Sequence, residues 1–405
     1  MSKNRILFLT KDAMCRDYLP IYGNKFWRTP NIDELANKGT VFYRHYTGAA
    51  STIMSNMCMF TGQFTFENEM DDYFESNRRF DGETLFDKAE KLGYATHIIW
   101  DESWYSDKTV EYYDCYGKNT VFHSIKDMKQ GVGGHYHREK PLEINTSKTE
   151  YVLSEIEKVF NSIINSTVEK VFVWLHIPHV INGSVCYGQD IEPFDEIVGI
   201  SRKYFDDDSI YISADHGNMN GSKGKICYGF DVYDPIARIP LITPYIGDTH
   251  SICQLTSNVD IYSIIFEGAI PNREMVYCDT AFYAQAHRKI AIITQQYKYI
   301  YNKYSQKEEL YDLEFDPFES CNLICDYVLD EERLSVTPLN EEYYYNNWSM
   351  LKDVRHMFRE ELKRIWRKGT PYQELRAKLR YMAKIYILVP RIRRKDKRLK
   401  RNDER

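Results

Sequence analysis

Short apolar runs alternate with longer amphipathic segments along the first part of the chain. The apolar runs have the length and composition of buried strands and fall at residues 6–10, 41–43, 95–100, 170–176 and 209–214. Helix start and stop residues between them predict helices over residues 30–38, 84–92 and 149–164. Strands that alternate with helices predict an α/β fold with a mostly parallel sheet covered on both faces.

The pattern changes from about residue 245 onward. Short apolar segments typical of a small antiparallel sheet follow at residues 289–294, 297–302 and 309–313. After Asn322 the sequence becomes rich in tyrosine, then basic and helical. Residues 101–148 are polar and irregular, and we expect an insertion there that could cover a pocket.

The composition is that of a folded, soluble protein. Of the 405 residues, 43% are hydrophobic and 28% are charged, which excludes a disordered chain, and no apolar run is long enough to cross a bilayer. The first ten residues lack a small-residue cleavage site, so they predict a first strand rather than a signal peptide. We therefore expect a cytoplasmic protein. The nine cysteines form no CxxC pair, and we expect reduced, mostly buried thiols without a disulfide framework or structural zinc site.

Charge is distributed unevenly along the chain. The net charge is −6, yet residues 351–405 carry 20 Lys and Arg against 7 Asp and Glu, which leaves −19 for the remainder. Helical spacing over residues 351–366 favours a helix packed on the body. The aliphatic and basic residues at 375–395 suit an anionic membrane surface, at the inner face of the membrane. The alternative is that the tail neutralises the acidic body of its own chain or of a second subunit, as in a homo-oligomer. We expect no nucleic acid, because no nucleic-acid module accompanies the basic cluster.

A hydroxyl residue begins the apolar segment at residues 50–62. Thr52 would lie in the first turn of a helix, where unpaired N–H groups and the positive end of the helix dipole favour an anion such as phosphate or sulfate. The simpler interpretation is an N-cap, because Ser and Thr commonly begin helices.

Several chemically active side chains follow predicted strands or begin a predicted helix. They are Asp12, Thr52, His176, His179, Asp215 and His216. Two carboxylates and an imidazole suit a borderline divalent ion such as Zn²⁺ or Mn²⁺. A threonine hydroxyl bound to such an ion would ionise more easily and become a nucleophile.

The order of these motifs resembles the sulfatase-like branch of the alkaline phosphatase superfamily. The segments that carry the resemblance are 6–12, 29–36, 52–62, 213–217, 233–241 and 309–323. The resemblance implies a three-layer α/β/α sandwich with one metal ion bound by Asp12, Thr52, Asp215 and His216. Zn²⁺ or Mn²⁺ is favoured for that ion, and Ca²⁺ or Mg²⁺ would also be compatible. Thr52 would be the nucleophile, and His179, Lys225 and His176 would bind the substrate; a structural role for His176 is the alternative.

The departures from the sulfatase pattern bear on the chemistry. Sulfatases typically carry Cys or Ser at the position of Thr52, followed by Pro and Arg where this chain has Met54 and Asn56. Oxidation of a threonine would give a ketone rather than the aldehyde that sulfatases use. Threonine here resembles the phosphodiesterase and the phosphoethanolamine- and glycerol-phosphate-transferase branches. Ala13 and Tyr228 replace further ligands of many relatives, which favours one metal over two.

The resulting hypothesis is a metal-dependent phosphoryl-transfer enzyme that acts on a phosphoester, for which a glycan or a lipid-linked substrate is one option. Hydrolase and transferase activity both stay open. The alternatives are a sulfatase and a catalytically inactive binding scaffold of the same fold. We divide the chain into a metal-binding catalytic core (1–245), the C-terminal part of the sulfatase-like domain with its small antiparallel sheet (246–325) and a Tyr-rich, then basic helical tail (326–405).

Overall fold

The computed structural model describes most of the chain. The described residues are 4–68, 80–102, 115–128, 146–166, 168–179, 188–280, 288–303, 305–324, 327–330, 335–338 and 341–365, with isolated positions between 372 and 394. Residues 131–137 of the predicted insertion and nearly all of the basic cluster near 391–395 lie outside the described residues.

Strands and helices are numbered in chain order. The strands are β1 (Arg5–Lys11), β2 (Thr40–Phe42), β3 (His45–Tyr46), β4 (Ala95–Asp101), β5 (Val121–Ile125), β6 (Val171–Ile177), β7 (Ile210–Ala214), β8 (Leu241–Thr243), β9 (Ser251–Ile252), β10 (Thr256–Ser257), β11 (Val276–Asp279), β12 (Lys289–Ile293), β13 (Tyr297–Asn302), β14 (Lys307–Asp312), β15 (Tyr327–Asp330) and β16 (Ser335–Pro338). The helices are α1 (Pro30–Lys38), α2 (Thr52–Thr61), α3 (Leu85–Lys91), α4 (Thr146–Ile164), α5 (Ile191–Ser201), α6 (Asp234–Ala237) and α7 (Glu341–Ile365), and Ser263–Glu267 form a π-helical turn.

A central sheet of eight strands organises the molecule. Its order is β5-β4-β6-β1-β7-β8-β2-β9. The five strands from β5 to β7 are parallel to their neighbours, whereas β8 runs antiparallel to both β7 and β2. The mostly parallel sheet predicted from the sequence is therefore confirmed. Because β1 lies between β6 and β7, the residues that follow these three strands meet at one edge of the sheet.

Helices cover both faces of this sheet. Successive side chains of β1 point to opposite faces, and both sets are apolar and buried. Leu7 and Leu9 face a buried cluster that includes side chains of α1, α4 and α5. Ile6 and Phe8 face the opposite cluster, to which α2, α3 and the π-helical turn contribute. Burying each such side chain contributes roughly 1.5–3 kcal/mol to the free energy of folding. The three-layer α/β/α architecture is confirmed.

The end of α1 illustrates how close the layers approach each other. Gly39 follows the last residue of α1, and a Cβ atom added there would lie 2.0 Å from the carbonyl oxygen of Thr243. The helix stop predicted at this glycine therefore also permits contact between the backbones of α1 and β8.

Two of the elements that the sequence did not predict cover the sheet or extend it. Residues 101–148 were expected to be irregular, but Val121–Ile125 form β5, the edge strand that pairs with β4. Only Ile125 in β5 is buried, so this strand lacks the apolar run that marks the central strands. The second is α5, whose burial against α1 and α4 was not visible in the chain order.

A second, four-stranded antiparallel sheet, in the order β11-β12-β13-β14, forms the C-terminal part. The sequence predicted three of its strands. Helix α7 packs against it: the rings of Tyr299 and Phe358 stack with centroids 5.4 Å apart, and Glu308 accepts a hydrogen bond of 2.7 Å from Arg355. The first part of the basic segment is therefore a helix packed on the body.

Two expectations from composition can be compared with the structure. Five of the seven described cysteines are buried, and all seven are free thiols. Among the described helices, none has both the length and the apolar character needed to cross a membrane.

Candidate metal and nucleophile site

Strands β1 and β7 bring two carboxylates to the same edge of the central sheet. Lys11 and Ala214 are paired in register, so Asp12 and Asp215 follow the ends of adjacent strands. One ligand atom from each of Asp12, Asp215 and His216 lies within 4.8 Å of the others, and all three residues are buried. The structure therefore brings together three residues that the sequence singled out as metal ligands.

The Asp215 carboxylate has two differently placed oxygens. Oδ1 accepts hydrogen bonds from the backbone N–H groups of Ala13, at 3.0 Å, and His216, at 2.7 Å. Oδ2 is buried and has no hydrogen-bond partner among the residues that the structure describes. Ala13 has a φ of 55°, a left-handed conformation that costs roughly 1–2 kcal/mol for a residue with a side chain. This backbone turn directs the Ala13 amide at Oδ1, which leaves Oδ2 available for a cation.

The imidazole of His216 is fixed by a backbone carbonyl. Its Nδ1 lies 2.8 Å from the oxygen of Gly217, and because a carbonyl only accepts, Nδ1 carries the hydrogen. Nε2 therefore presents its lone pair on the other side of the ring. There it lies 3.6 Å from Asp12 Oδ1 and 3.6 Å from Asp215 Oδ2. A ring oriented in this way through its second nitrogen is typical of a metal-ligating histidine.

Thr52 is the first residue of α2 and its hydroxyl faces this cluster. Oγ1 lies 3.1 Å from His216 Nε2 and 3.3 Å from Asp12 Oδ1, so its proton can be donated to either atom. The N-cap position belongs to Ser51, which makes no side-chain cap hydrogen bond. The capping interpretation of Thr52 is therefore wrong, because its side chain lies among the candidate ligands.

A small polar network holds the start of α2 against the end of β7. Ser55 Oγ donates to the carbonyl oxygen of Asp215 at 2.5 Å and accepts from Asn258 Nδ2 at 2.9 Å. Asn258 Oδ1 in turn accepts from the N–H of Gly48 at 2.9 Å. All of these groups are buried, so they fix Thr52 relative to Asp215 with little freedom.

His179 lies beside the cluster at the end of β6. Its backbone N–H lies 3.4 Å from Asp12 Oδ2, and its Nδ1 lies 3.0 Å from Asp190 Oδ2. Asp190 Oδ2 also contacts Nζ of Lys11. The sequence did not identify Asp190, because an acidic residue ahead of an apolar helix is indistinguishable from an ordinary cap.

His176 is the second predicted substrate ligand on this strand. Its Nδ1 lies 2.8 Å from Thr10 Oγ1, and that hydroxyl also accepts a 2.8 Å hydrogen bond from Trp174 Nε1. Burial lowers the pKa of His176 to about 4, against the attraction of the nearby Asp12 carboxylate. His176 is therefore neutral near pH 7 and is tied to Thr10 in β1.

Lys225 is placed differently from the other predicted residues. Its Nζ lies 2.6 Å from Asp231 Oδ1, which Lys289 also contacts, and 4.7 Å from the centroid of the Tyr233 ring. Burial lowers the pKa of Lys225, although Asp231 opposes the shift. Its ion pair therefore joins it to Asp231 rather than to the Asp12 cluster, and its role toward the substrate stays a prediction.

The site geometry can now be compared with known proteins. A Sulfatase family model matches residues 4–180, a range that contains Asp12, Thr52 and His179. An N-acetylglucosamine-6-O-sulfatase of Bacteroides thetaiotaomicron is 32% identical over 94 residues, 23% of this chain and 17% of that protein. The matched segments span a fifth or less of the curated relatives.

Solved structures match about 90% of this chain. A phosphonate monoester hydrolase of Agrobacterium radiobacter matches with a TM-score of 0.61 and 14% identity, covering 90% of this chain and 95% of that chain. A protein solved with its substrate D-glucosamine-2-N,6-O-disulfate matches with a TM-score of 0.63 and 16% identity, covering 90% and 98%. At sequence identities this low, the structural similarity establishes only that the fold is shared.

Residues 4–180 therefore match the Sulfatase family, and the fold is shared with a 2-O glycosaminoglycan sulfatase and a phosphonate monoester hydrolase. The resemblance that the motifs indicated is therefore confirmed, and the sulfatase-like branch is the part of the superfamily that matches.

The cluster of Asp12, Asp215 and His216 fits a divalent metal ion. Two buried carboxylates and an imidazole nitrogen converge on one point, and the unpartnered Asp215 Oδ2 would carry an uncompensated buried charge without a cation. The mixed oxygen and nitrogen donors suit Zn²⁺ or Mn²⁺. Thr52 Oγ1 is near enough to join them.

Three further polar residues were not predicted as functional. Asn56 Oδ1 and both amide atoms of Asn218 are buried and lack hydrogen-bond partners in the described ranges. Asn56 lies one helical turn after Thr52, at the position where sulfatases carry Arg. The ring of Tyr228 lies 4.3 Å from that of His216, and burial, together with Asp12 and Asp215, raises its pKa well above the usual range. Polar side chains of these types are too common in loops and helices to be recognised as functional from sequence alone.

Proposed function

We propose that this chain is a metal-dependent, sulfatase-family hydrolase that cleaves an ester of a tetrahedral oxyanion with Thr52 as the nucleophile. The observation that carries the proposal is the position of Thr52 Oγ1, 3.1 Å from His216 Nε2 and 3.3 Å from Asp12 Oδ1, at the start of a buried helix. A structural threonine would have no need of two candidate metal ligands around its hydroxyl.

Asp12, Asp215, His216 and Thr52 would hold one divalent ion, for which we propose Zn²⁺ or Mn²⁺. When bound, the ion would lower the pKa of the Thr52 hydroxyl and offset negative charge on the substrate. The protein side chains supply the remaining features: Gly217 fixes the tautomer of His216, and Ser55 and Asn258 hold α2 in place.

The reaction would proceed in two displacements. Thr52 Oγ would release its proton to solvent and form a bond to the sulfur or phosphorus atom while the bond to the leaving-group oxygen breaks. That oxygen would take a proton from solvent. Water would then cleave the ester on Thr52, which releases the inorganic oxyanion and restores the hydroxyl. The N–H groups at the start of α2, together with His179, would bind the non-reacting oxygens.

Two substrate classes have separate support. The curated N-acetylglucosamine-6-O-sulfatase and the structural neighbour with a disulfated glucosamine favour a sulfate ester of a glycan. Thr52 favours a phosphate or phosphonate ester, because threonine cannot yield the aldehyde that sulfatases use, and a phosphonate monoester hydrolase shares the fold. The second class also leaves transfer to a sugar hydroxyl open in place of hydrolysis.

Paired assays distinguish sulfate esters from phosphate and phosphonate esters as substrates. The metal-loaded protein would be incubated with 4-nitrophenyl sulfate, 4-nitrophenyl phosphate, bis(4-nitrophenyl) phosphate and a 4-nitrophenyl phosphonate, before and after chelation. We expect turnover of one class that is lost on chelation, restored by Mn²⁺ or Zn²⁺ and absent from Thr52→Ala. Turnover that survives in Thr52→Ala contradicts the nucleophile. Metal binding without turnover of any ester supports the inactive scaffold.

A further inference from the structure

Asp190 occupies the N-cap position of α5 but does not cap the helix. An aspartate at this position ordinarily accepts a hydrogen bond from an N–H group in the first turn. The Asp190 side chain makes no such bond. Its Oδ2 instead contacts Lys11 Nζ and lies 3.0 Å from His179 Nδ1. The carboxylate is thus diverted from its local helix toward two residues at the ends of β1 and β6.

The three groups form a buried unit next to the candidate metal ligands. Lys11, Asp190 and His179 are exposed to only 1%, 6% and 7%. Lys11 immediately precedes Asp12, and the backbone N–H of His179 lies 3.4 Å from Asp12 Oδ2. The unit therefore adjoins the site through two separate strands.

Lys11 and His179 determine the protonation state of Asp190. Burial would raise the pKa of Asp190, but the Lys11 ammonium and the hydrogen bond with His179 together keep it well below its usual range. Asp190 is therefore a carboxylate, which can only accept hydrogen bonds. The hydrogen that His179 directs at Asp190 must then be on Nδ1.

We propose that Asp190, anchored by Lys11, is the positioning residue for His179: it fixes the rotation of the imidazole ring and its Nδ1–H tautomer. The proposal rests on the proposed function in one respect, namely that His179 faces the ester oxygens. Lys11 alone would suffice to pair with a structural aspartate. The bond to His179 is the feature that a purely structural ion pair would not require.

The test uses the full-length, metal-loaded protein and two matched variants. Asp190→Asn keeps the shape of the side chain but offers an amide that can donate to Nδ1. Asp195→Asn is the control, because Asp195 lies on the same helix, is buried and accepts hydrogen bonds from Ile32 and Asn31 of α1, away from His179. His179→Gln identifies the His179 signals in the spectrum.

The first measurement is the tautomer of His179, read from ¹⁵N chemical shifts of the imidazole ring. We expect the Nδ1–H form in the wild type and in Asp195→Asn, and a shift toward the Nε2–H form in Asp190→Asn. An unchanged tautomer in Asp190→Asn, or an Nε2–H tautomer in the wild type, overturns the proposal. This measurement needs no turnover, so it decides the role of Asp190 even if the proposed function fails.

The second measurement is steady-state kinetics on the ester class that the paired assays identify. Asp190→Asn should lower kcat/KM on the order of 10–100-fold, by analogy with groups that orient a metal-ligating histidine, with most of the loss in kcat. In the His179→Gln background the same change should cost less than about twofold, since Asp190 acts through His179. An equal loss in both backgrounds contradicts positioning. If Asp190→Asn does not fold, Lys11→Met combined with Asp190→Asn removes the unpaired buried charge and is tested in the same two ways.

Discussion

The hydroxyl of Thr52 lies 3.1 Å from Nε2 of His216, although 164 positions separate the two residues in the chain. The contact exists because α2 starts above the end of β7 and is tied to it by Ser55. It joins a candidate nucleophile to a candidate metal ligand.

Replacing Thr52 should remove turnover without unfolding the protein. We expect Thr52→Ala to lower kcat by at least about a thousandfold, because nucleophile loss in comparable enzymes is of that order or larger. The free energy of unfolding should fall by no more than about 2 kcal/mol, since Ser51 holds the cap position. Thr52→Ser should retain part of the activity. Steady-state kinetics and urea unfolding of the three proteins check this, and a wild-type rate in Thr52→Ala would show that another group attacks.

Asp215→Asn should strongly weaken metal binding while preserving the local backbone. The amide oxygen can still accept from Ala13 and His216, whereas nitrogen replaces the unpartnered Oδ2 that would bind the ion. Metal affinity should fall by more than the roughly 10–100-fold typical of an outer-shell change.

The measurement for Asp215→Asn is calorimetric titration with Mn²⁺ and Zn²⁺, together with thermal unfolding. A free ion at about 100 times its Kd should stabilise the wild type by about 2.7 kcal/mol. Asp195→Asn serves as the control and should keep this stabilisation. Equal metal affinity in Asp215→Asn would place the ion elsewhere.

The sequence predicted the candidate metal ligands and the nucleophile better than the residues that position their neighbours. Asp12 and Asp215 could be identified because each follows an apolar run, and the carboxyl ends of parallel strands share one edge of a sheet. Thr52 could be identified because it begins an apolar helix, and His216 because it directly follows Asp215. Their mutual geometry depends on the register of β1 with β7, which no local pattern in the sequence encodes.

Residues that act through tertiary contacts could not be predicted. Asp190 precedes a helix that the sequence analysis missed, and its partners Lys11 and His179 lie at the ends of β1 and β6. Lys225 was assigned by resemblance, yet its ion pair is with Asp231. Strand β5 was missed because an edge strand with one buried residue has almost no hydrophobic signal.

A buried histidine away from the site should make stability depend on pH. His45 is fully buried, its Nδ1 lies 3.0 Å from Thr256 Oγ1, and its Nε2 has no hydrogen-bond partner within the described segments. Burial lowers its pKa to about 3. The unfolded chain therefore binds a proton that the folded chain excludes between about pH 6.5 and pH 3. The contribution of His45 to the free energy of unfolding is fully present above this window. It decreases as pH falls through the window, by about 1.4 kcal/mol per pH unit.

Urea unfolding at pH 5 and pH 7 checks this contribution. His45→Gln removes the titrating group while keeping a polar side chain of similar size. The wild type should lose about 2 kcal/mol more than the variant between the two pH values. Parallel losses in both proteins would assign the acid sensitivity to other groups.

For the basic tail we propose binding to an anionic membrane surface through residues beyond α7. A truncation that tests the tail should leave α7 intact, because its residues Leu351, Phe358 and Ile365 are buried against the antiparallel sheet. A chain ending at Ile365 should therefore keep the fold and lose vesicle binding. Each Lys or Arg near an anionic leaflet contributes about 1 kcal/mol, and high salt should weaken the attraction.

Co-sedimentation with phosphatidylserine-containing and neutral vesicles measures this binding. Equal binding by the full chain and the chain ending at Ile365, or no preference for anionic lipid, contradicts the membrane proposal. A concentration-dependent dimer that the truncation abolishes would support the contact with a second subunit instead.

The most direct test of the central claim is mass spectrometry of the protein quenched during turnover. The metal-loaded enzyme is mixed with the ester class identified in the paired assays, stopped with acid within the first turnovers and digested. The account predicts that the peptide containing Thr52 gains the mass of one phosphoryl or sulfuryl group, localised to Thr52, and that neither the chelated protein nor Thr52→Ala shows it. A modified peptide elsewhere in the chain, or full turnover by Thr52→Ala, would contradict the assignment of Thr52 as the nucleophile.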